Sequence, residues 1–329
     1  MTLGQDTSRM EGSATKRRFR RSLLGWFERH KRDLPWRQDR DPYRVWLSEV
    51  MLQQTRVAAV TNHYEKFLRR FPTIERLACA RESSVLAAWS GLGYYRRARM
   101  LHATAKQIVK RYRGKFPQRA EDLRALPGIG RYTAAAIASI AFDEPVAVVD
   151  GNVERVLQRV QGKNLAGEKV WRAAGELLNR RRPGDFNQAM MELGATICLP
   201  RQPQCLLCPV ADLCATRGEL HRPQNRTRQV RREVYYALAC RDGAIFMVKR
   251  PKTATLMPAM WELPETGANG KTPVSLTLRH SITVTDYLVR VLLSLPPTGV
   301  DGRWVKNSQV LTLPLTGLTR KILRAAKII

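Results

Sequence analysis

The chain has 329 residues, with 57 Lys and Arg against 28 Asp and Glu for a formal net charge of +29. Hydrophobic residues at 44% and charged residues at 26% exclude a largely disordered protein. No uninterrupted apolar run approaches the ~20 residues of a membrane span. A positive excess of this size repels itself unless a polyanion compensates it, so a phosphate backbone is the expected partner. The opening MTLGQDTSRMEGSATKRRFRR lacks the apolar core of a secretory signal. A cytoplasmic location is expected, nucleoid-associated if the source is bacterial.

Residues 1–15 read as a disordered N-terminus. The first helical pattern, SLLGWFERHKRDLPW, stops at Pro35. DPYRVWLSEVMLQQTRVAAVTNHYEKFLRRFP opens on Asp41-Pro42, a cap and first-turn pair, and ends before Pro72. Short helical stretches follow at SSVLAAWSG, RRARMLHATAKQIVKRY, RAEDLRAL, RYTAAAIASIAF, NVERVLQRVQG and NQAMMELGATIC, set apart by Gly and Pro. No strand pattern stands out up to about residue 216, so this part reads as all-α. Residues 217–232 are polar and strongly basic, an interdomain linker. Beyond them YYALAC, AIFMVKR and SLTLRHSITVTDYLVRVLL are rich in β-branched and aromatic residues, which predicts a small β-containing domain.

Three clusters carry chemistry. Cys198, Cys205, Cys208 and Cys214 give the spacing C-x6-C-x2-C-x5-C, compact enough to wrap one metal centre. Structural zinc usually shows two matched C-x2-C pairs, and the single pair here favours a [4Fe–4S] cluster. Cys79 and Cys240 have no such neighbours and are expected to be ordinary buried residues. The turn Leu126-Pro127-Gly128-Ile129-Gly130, followed by Arg131 and a helix, suits backbone N–H groups that grip a phosphate without reading sequence. A plain helix connection is the alternative. Glu49 lies among Val45, Trp46, Leu52 and Gln53 at helical spacing, where desolvation would raise its pKa as a general acid requires; a solvated helix edge is the alternative. Asp150 ends PVAVVD and precedes Gly151-Asn152 and a helix, so it reads as an N-cap whose amides keep the carboxylate ionised and fixed. A protonatable and an ionised acid facing one cleft are what cleavage of a glycosidic bond uses.

In order along the chain, LPW, WLSEVMLQQTRV, GLGYYRRAR, LPGIGRYTA, VVDGNVERV, FNQAMMELG and the cysteine loop resemble the MutY-type adenine DNA glycosylases. These belong to the helix-hairpin-helix, endonuclease III-like superfamily and remove adenine mispaired with 8-oxoguanine or guanine in double-stranded DNA. The resemblance implies a mainly α, two-lobed core with a [4Fe–4S] loop and an α+β NUDIX-like C-terminal domain. Its divisions would be 16–33 with 145–216 for the cluster domain, 34–144 for a six-helix domain carrying the hairpin, and 233–329 for lesion recognition. It implies a monomer, with the linker open to replication or repair partners.

By the same resemblance Glu49 protonates adenine N7, and Asp150 stabilises the oxocarbenium ion with Asn152 nearby. Tyr132 falls where bifunctional relatives carry a Schiff-base lysine; a phenol cannot form that imine, which implies a monofunctional enzyme. Trp36, Arg37, Leu52, Val57 and Gln188 match adenine-pocket positions. Gln54 and Tyr94 match residues that wedge into the duplex, although core packing is an alternative for Tyr94-Tyr95. Gly128, Gly130 and Arg131 would hold the backbone. In the C-terminal domain, Ser281 precedes Ile282-Thr283-Val284, which stands where the family often has Phe-Ser-His. Thr283 keeps a hydroxyl able to bond the opposite base, whereas Val284 cannot replace a histidine. An endonuclease III-like lyase for oxidised pyrimidines and a catalytically silent DNA-binding protein are the competing classes.

Overall fold

The structure, a computed structural model, describes residues 12–220, 230–268, 272–282 and 284–329. It is mainly helical up to residue 220, with an α+β C-terminal part. Among the described residues no helix is long and apolar enough to cross a membrane. The helices run α1 Ser13–His30, α2 Pro42–Leu52, α3 Val57–Arg70, α4 Ile74–Ala78, α5 Glu82–Trp89, α6 Arg96–Tyr112, α7 Ala120–Arg124, α8 Arg131–Phe142, α9 Gly151–Gln161, α10 Glu168–Leu177 and α11 Pro183–Thr196. The strands follow as β1 Val230–Leu238, β2 Cys240–Arg241, β3 Ala244–Lys249, β4 Trp261–Glu262, β5 Glu265–Thr266, β6 Val274–Ile282, β7 Thr285–Leu293 and β8 Arg303–Lys306, closed by α12 Asn307–Val310 and α13 Gly317–Ala325. Helix α1 begins at Ser13, three residues inside the stretch expected to be disordered.

The chain divides into two compact units, residues 1–57 with 104–223 and residues 58–103 with 224–329. This differs from the expected cut at 33/34 and 144/145. Residues 58–103, expected with the rest of a six-helix domain, group with the β-containing segment instead.

In the first unit, α1 buries Phe19, Leu23, Leu24, Trp26 and Phe27, a stripe at helical spacing that faces α10 and α11. Val153, Val156, Leu157 and Val160 of α9 complete that core with Phe186 and Leu193 of α11. Helix α8 is buried from Thr133 to Ile140. Its alanines keep the cylinder thin, so that α2, α7 and α11 all pack on it. Asn187, 2% exposed, ties these layers together. Its Oδ1 accepts from the Val148 amide at 3.2 Å, and its Nδ2 donates to Ser139 Oγ and Val146 O, each at 2.9 Å.

In the second unit, β5-β1-β7-β6 form one sheet, with β1 parallel to β7 and the other pairings antiparallel. Strands β2, β3, β4 and β8 form another. Ile245, Met247, Val289, Val291 and Val305 meet Leu318 and Ile322 of α13 in the core. The helical part of this unit packs around Phe67, whose ring meets Trp89 edge-on at 5.9 Å. Cys79 and Cys240 are exposed, contrary to the expectation of burial. Cys79 is the C-terminal cap residue of the short α4, and Cys240 lies on the solvent-facing β2, so neither side chain reaches a core.

Candidate active site

A cavity of about 560 Å³ opens within the first unit, and both acids singled out in the sequence line it. Glu49 comes from α2, which starts where Asp41 caps the Arg44 amide at 2.9 Å and Pro42 occupies the first turn. Glu49 is 6% exposed. Burial pushes its carboxyl up to about 7; a hydrogen bond from Tyr132 and the charge of Arg37 oppose the rise, and the Asp150 carboxylate adds to it. Tyr132, in the first turn of α8, donates its O–H to Glu49 Oε2 at 2.5 Å. The phenol's own pKa goes up, first through burial and then through the carboxylates of Glu49 and Asp150.

Asp150 is the N-cap of α9, where Oδ1 accepts from the Val153 amide at 2.7 Å and Oδ2 from Asn152 Nδ2 at 2.9 Å. Both bonds favour the anion. Burial nevertheless outweighs them and raises its pKa, so the amides alone do not set its charge as the sequence suggested. The N-terminal turn of α9 sits tightly on α11: a Cβ on Gly194 would lie 2.6 Å from Cβ of Asn152, so only glycine permits the approach.

Trp36, Arg37, Leu52, Val57 and Gln188 all line the cavity, as do Asn152 and the exposed Gln54. The sequence reading missed what fixes Arg37. Glu192, 1% exposed on α11, accepts from Arg32 Nε at 2.6 Å, Arg32 Nη2 at 2.8 Å and Arg37 Nη2 at 2.8 Å. Burial alone would raise the Glu192 carboxyl, but the two guanidiniums bring it down to about 2. The signal was present: Glu192 stands one helical turn beyond Gln188, on the same face. Arg155 was missed as well. It donates to Asn152 Oδ1 at 2.8 Å and to the Cys198 carbonyl at 2.8 Å, linking the surroundings of Asp150 to the cysteine loop.

Cys198, Cys205, Cys208 and Cys214 line one small cavity of about 30 Å³. Buried Arg159 braces the loop, donating to Cys198 Sγ at 3.4 Å, Leu199 O at 2.6 Å and Pro200 O at 2.8 Å. Burial and the neighbouring sulfurs push the Cys208 thiol up to about 11 and raise Cys205 too. Among the described residues no three His, Cys, Asp or Glu side chains close on a point that could hold one metal ion.

In the glycine turn, Gly128 has φ +75°, a left-handed value that glycine adopts without strain. Gly130 is the N-cap of α8 and offers no side chain to its first amides. Arg131 stacks on Trp171 with 4.0 Å to the ring centre and pairs with exposed Glu168. In the second unit Tyr94 is half exposed with φ +47°, whereas Tyr95 is buried, so core packing accounts for the second tyrosine only. Ser281 is exposed and donates to Asp286 across the β6–β7 pair. Thr283 lies outside the described residues.

Residues 47–180 match the model of the HhH-GPD superfamily of base excision DNA repair proteins. A solved thermostable thymine-DNA glycosylase aligns with TM-score 0.58 and 32% identity, over 62% of this chain and 97% of that one. The chain belongs to this superfamily. Human adenine DNA glycosylase is 49% identical over 221 residues, 63% of this chain and 40% of the relative. The Arabidopsis thaliana enzyme of the same name is 38% identical over 335 residues, 86% of this chain and 52% of the relative. The chain thus spans about half the length of these curated relatives, or less.

Proposed function

We propose that this protein is a monofunctional DNA glycosylase that releases adenine opposite 8-oxoguanine or guanine in duplex DNA. The observation that carries the reading is the shared cavity of Glu49 and Asp150, with Glu49 held near neutrality by burial. In this reading the adenosine swings out of the duplex, at an unstacking cost of about a few kcal/mol. Glu49, half protonated near pH 7, gives its proton to N7 and turns adenine into a neutral leaving group. Asp150 stays on the sugar side and stabilises the oxocarbenium ion electrostatically until water adds. Asn152 and the α9 amides fix the direction of its carboxylate. Trp36, Leu52 and Val57 supply apolar walls, and Gln188 offers both a donor and an acceptor to the base edge.

Tyr132 holds Glu49 and has no amine to attack C1′, which supports base release without strand cleavage. The glycine turn, Arg131 and the exposed Gln54 and Tyr94 are read as grip and wedge on the duplex. Ser281 and Thr283 are read as the contacts to the opposite base. We assign the four cysteines to a [4Fe–4S] cluster. A lone zinc ion would need all its thiolates within about 2.3 Å of one point, whereas a cubane accepts sulfurs set further apart around one cavity. Such a cluster would supply structural rigidity to the loop that Arg159 and Arg155 already brace.

Duplexes labelled at one end and carrying A opposite 8-oxoguanine, A opposite G, T opposite G, or thymine glycol test the reading. Strand breaks at A that appear only after alkali are expected. Direct nicking at thymine glycol, release of T opposite G in place of A, or binding with no product would overturn it.

A further inference from the structure

The loop that carries Tyr94 is strained at its tip and tied at its base to the β-containing part of its own unit. Gly91, Gly93 and Tyr94 have φ of +111°, +71° and +47°. Three left-handed residues in four positions do not hold themselves, least of all at a tyrosine, whose Cβ crowds the backbone in that conformation. The inner support is local. Trp89 Nε1 donates to the Gly93 carbonyl at 3.1 Å, and Arg97 Nη2 donates to the Leu92 and Gly93 carbonyls, each at 3.3 Å. The Arg97 guanidinium also faces the Trp89 ring at 5.4 Å and the Tyr94 ring at 5.6 Å.

The outer support comes from far along the chain. Ser90 and Tyr95 flank the loop, at 2% and 3% exposure. Tyr95 donates its O–H to the Leu315 carbonyl at 2.7 Å, and Ser90 Oγ donates to the same oxygen at 3.2 Å. One carbonyl has two lone pairs and can accept both. Arg320 Nε then donates to Ser90 Oγ at 3.0 Å, so that each hydroxyl has a defined direction. Leu315 is itself buried and held by backbone pairing. It bridges to Trp261, Thr316 donates its amide to Trp261 O at 3.0 Å, and Thr316 caps α13, the helix that carries Arg320. Arg99 adds a bond to the Pro258 carbonyl on the same side.

We propose that Arg320 and the Leu315 carbonyl form a latch by which the C-terminal domain sets the posture of Tyr94, making Arg320 a positioning residue for duplex wedging. The proposal rests on the reading of Tyr94 as the wedge. Without the latch the glycine-rich tip relaxes toward ordinary backbone angles and the ring is no longer presented. A hydrogen bond from a charged donor in a buried setting is worth enough that its loss changes a rate by about tenfold or more.

The test uses the full chain in a double-mutant cycle of Tyr94→Ala and Arg320→Met, with Tyr95→Phe as a second latch variant. Two signals are followed: fluorescence of 2-aminopurine beside the target adenine, which rises when the stack opens, and the single-turnover rate of adenine release. The expected result is a loss of about tenfold in opening and release for each single variant, with no further loss when Arg320→Met is added to Tyr94→Ala. Thermal unfolding midpoints should shift equally on adding Arg320→Met to either background, which separates posture from stability. A full additional loss in the Tyr94→Ala background, or wild-type opening in both latch variants, overturns the latch while leaving the wedge intact. Unchanged opening in Tyr94→Ala alone removes the wedge reading and the latch with it.

Discussion

The Tyr132 hydroxyl donates to Oε2 of Glu49 at 2.5 Å, within the cavity that Asp150 also lines. The bond has two consequences. It orients the buried carboxylate, and it favours the ionised form, against the larger effect of burial. Tyr132→Phe should therefore raise the Glu49 pKa. Since release needs the protonated acid, the alkaline fall of the rate should move up by about one pH unit. A loss of orientation should lower the plateau at the same time. A rate–pH series in single turnover checks both.

Glu192 holds Arg32 and Arg37 at the cavity wall. Its folded pKa of about 2 lies below the ordinary 4.5. A depressed carboxylate contributes stability above the unfolded value and loses it as pH falls through the folded one. The contribution should therefore be complete above about 4.5 and vanish toward about 2. Glu192→Gln leaves Arg32 and Arg37 without their counter-charge and should cost about 3 kcal/mol. Urea unfolding at pH 7 and pH 3 is the check: the penalty should shrink at the lower pH.

Cys208→Ser should abolish iron loading. Wild-type protein purified without oxygen should carry about four iron atoms per chain and absorb in the visible. The variant should lose both and be cut faster by protease within the 198–214 loop. Zinc in place of iron in the wild type would assign the thiols differently.

Much of the helical part was legible because its signals are local. Asp41-Pro42, the apolar stripe of α1 and the change of periodicity after the linker are read within one or two turns. Glu49 was legible for the same reason, since an acid among Val45, Trp46 and Leu52 has few places to go but inward. Its meeting with Asp150 was not derivable, because that depends on α2 packing on α8, α9 on α11 and α8 on α11. Glu192 escaped notice because its importance comes from Arg32 and Arg37, more than 150 positions away. The exposure of Cys79 and Cys240 escaped for the reverse reason: cysteine is usually buried, and only the neighbouring elements show where these two face. The grouping of residues 58–103 with the C-terminal segment follows from contacts such as Tyr95 with Leu315, which no pattern within either segment announces.

The most direct measurement is the single-turnover rate of adenine release between about pH 5 and pH 9, for the wild type and for Glu49→Gln. The wild-type rate should be highest on the acid side and decline above about 7, where Glu49 loses its proton. Glu49→Gln should bind the duplex as tightly as the wild type and release base roughly a hundredfold to ten-thousandfold more slowly, with the decline above neutrality gone. A Glu49→Gln variant that turns over at the wild-type rate and keeps the same pH profile would contradict the account.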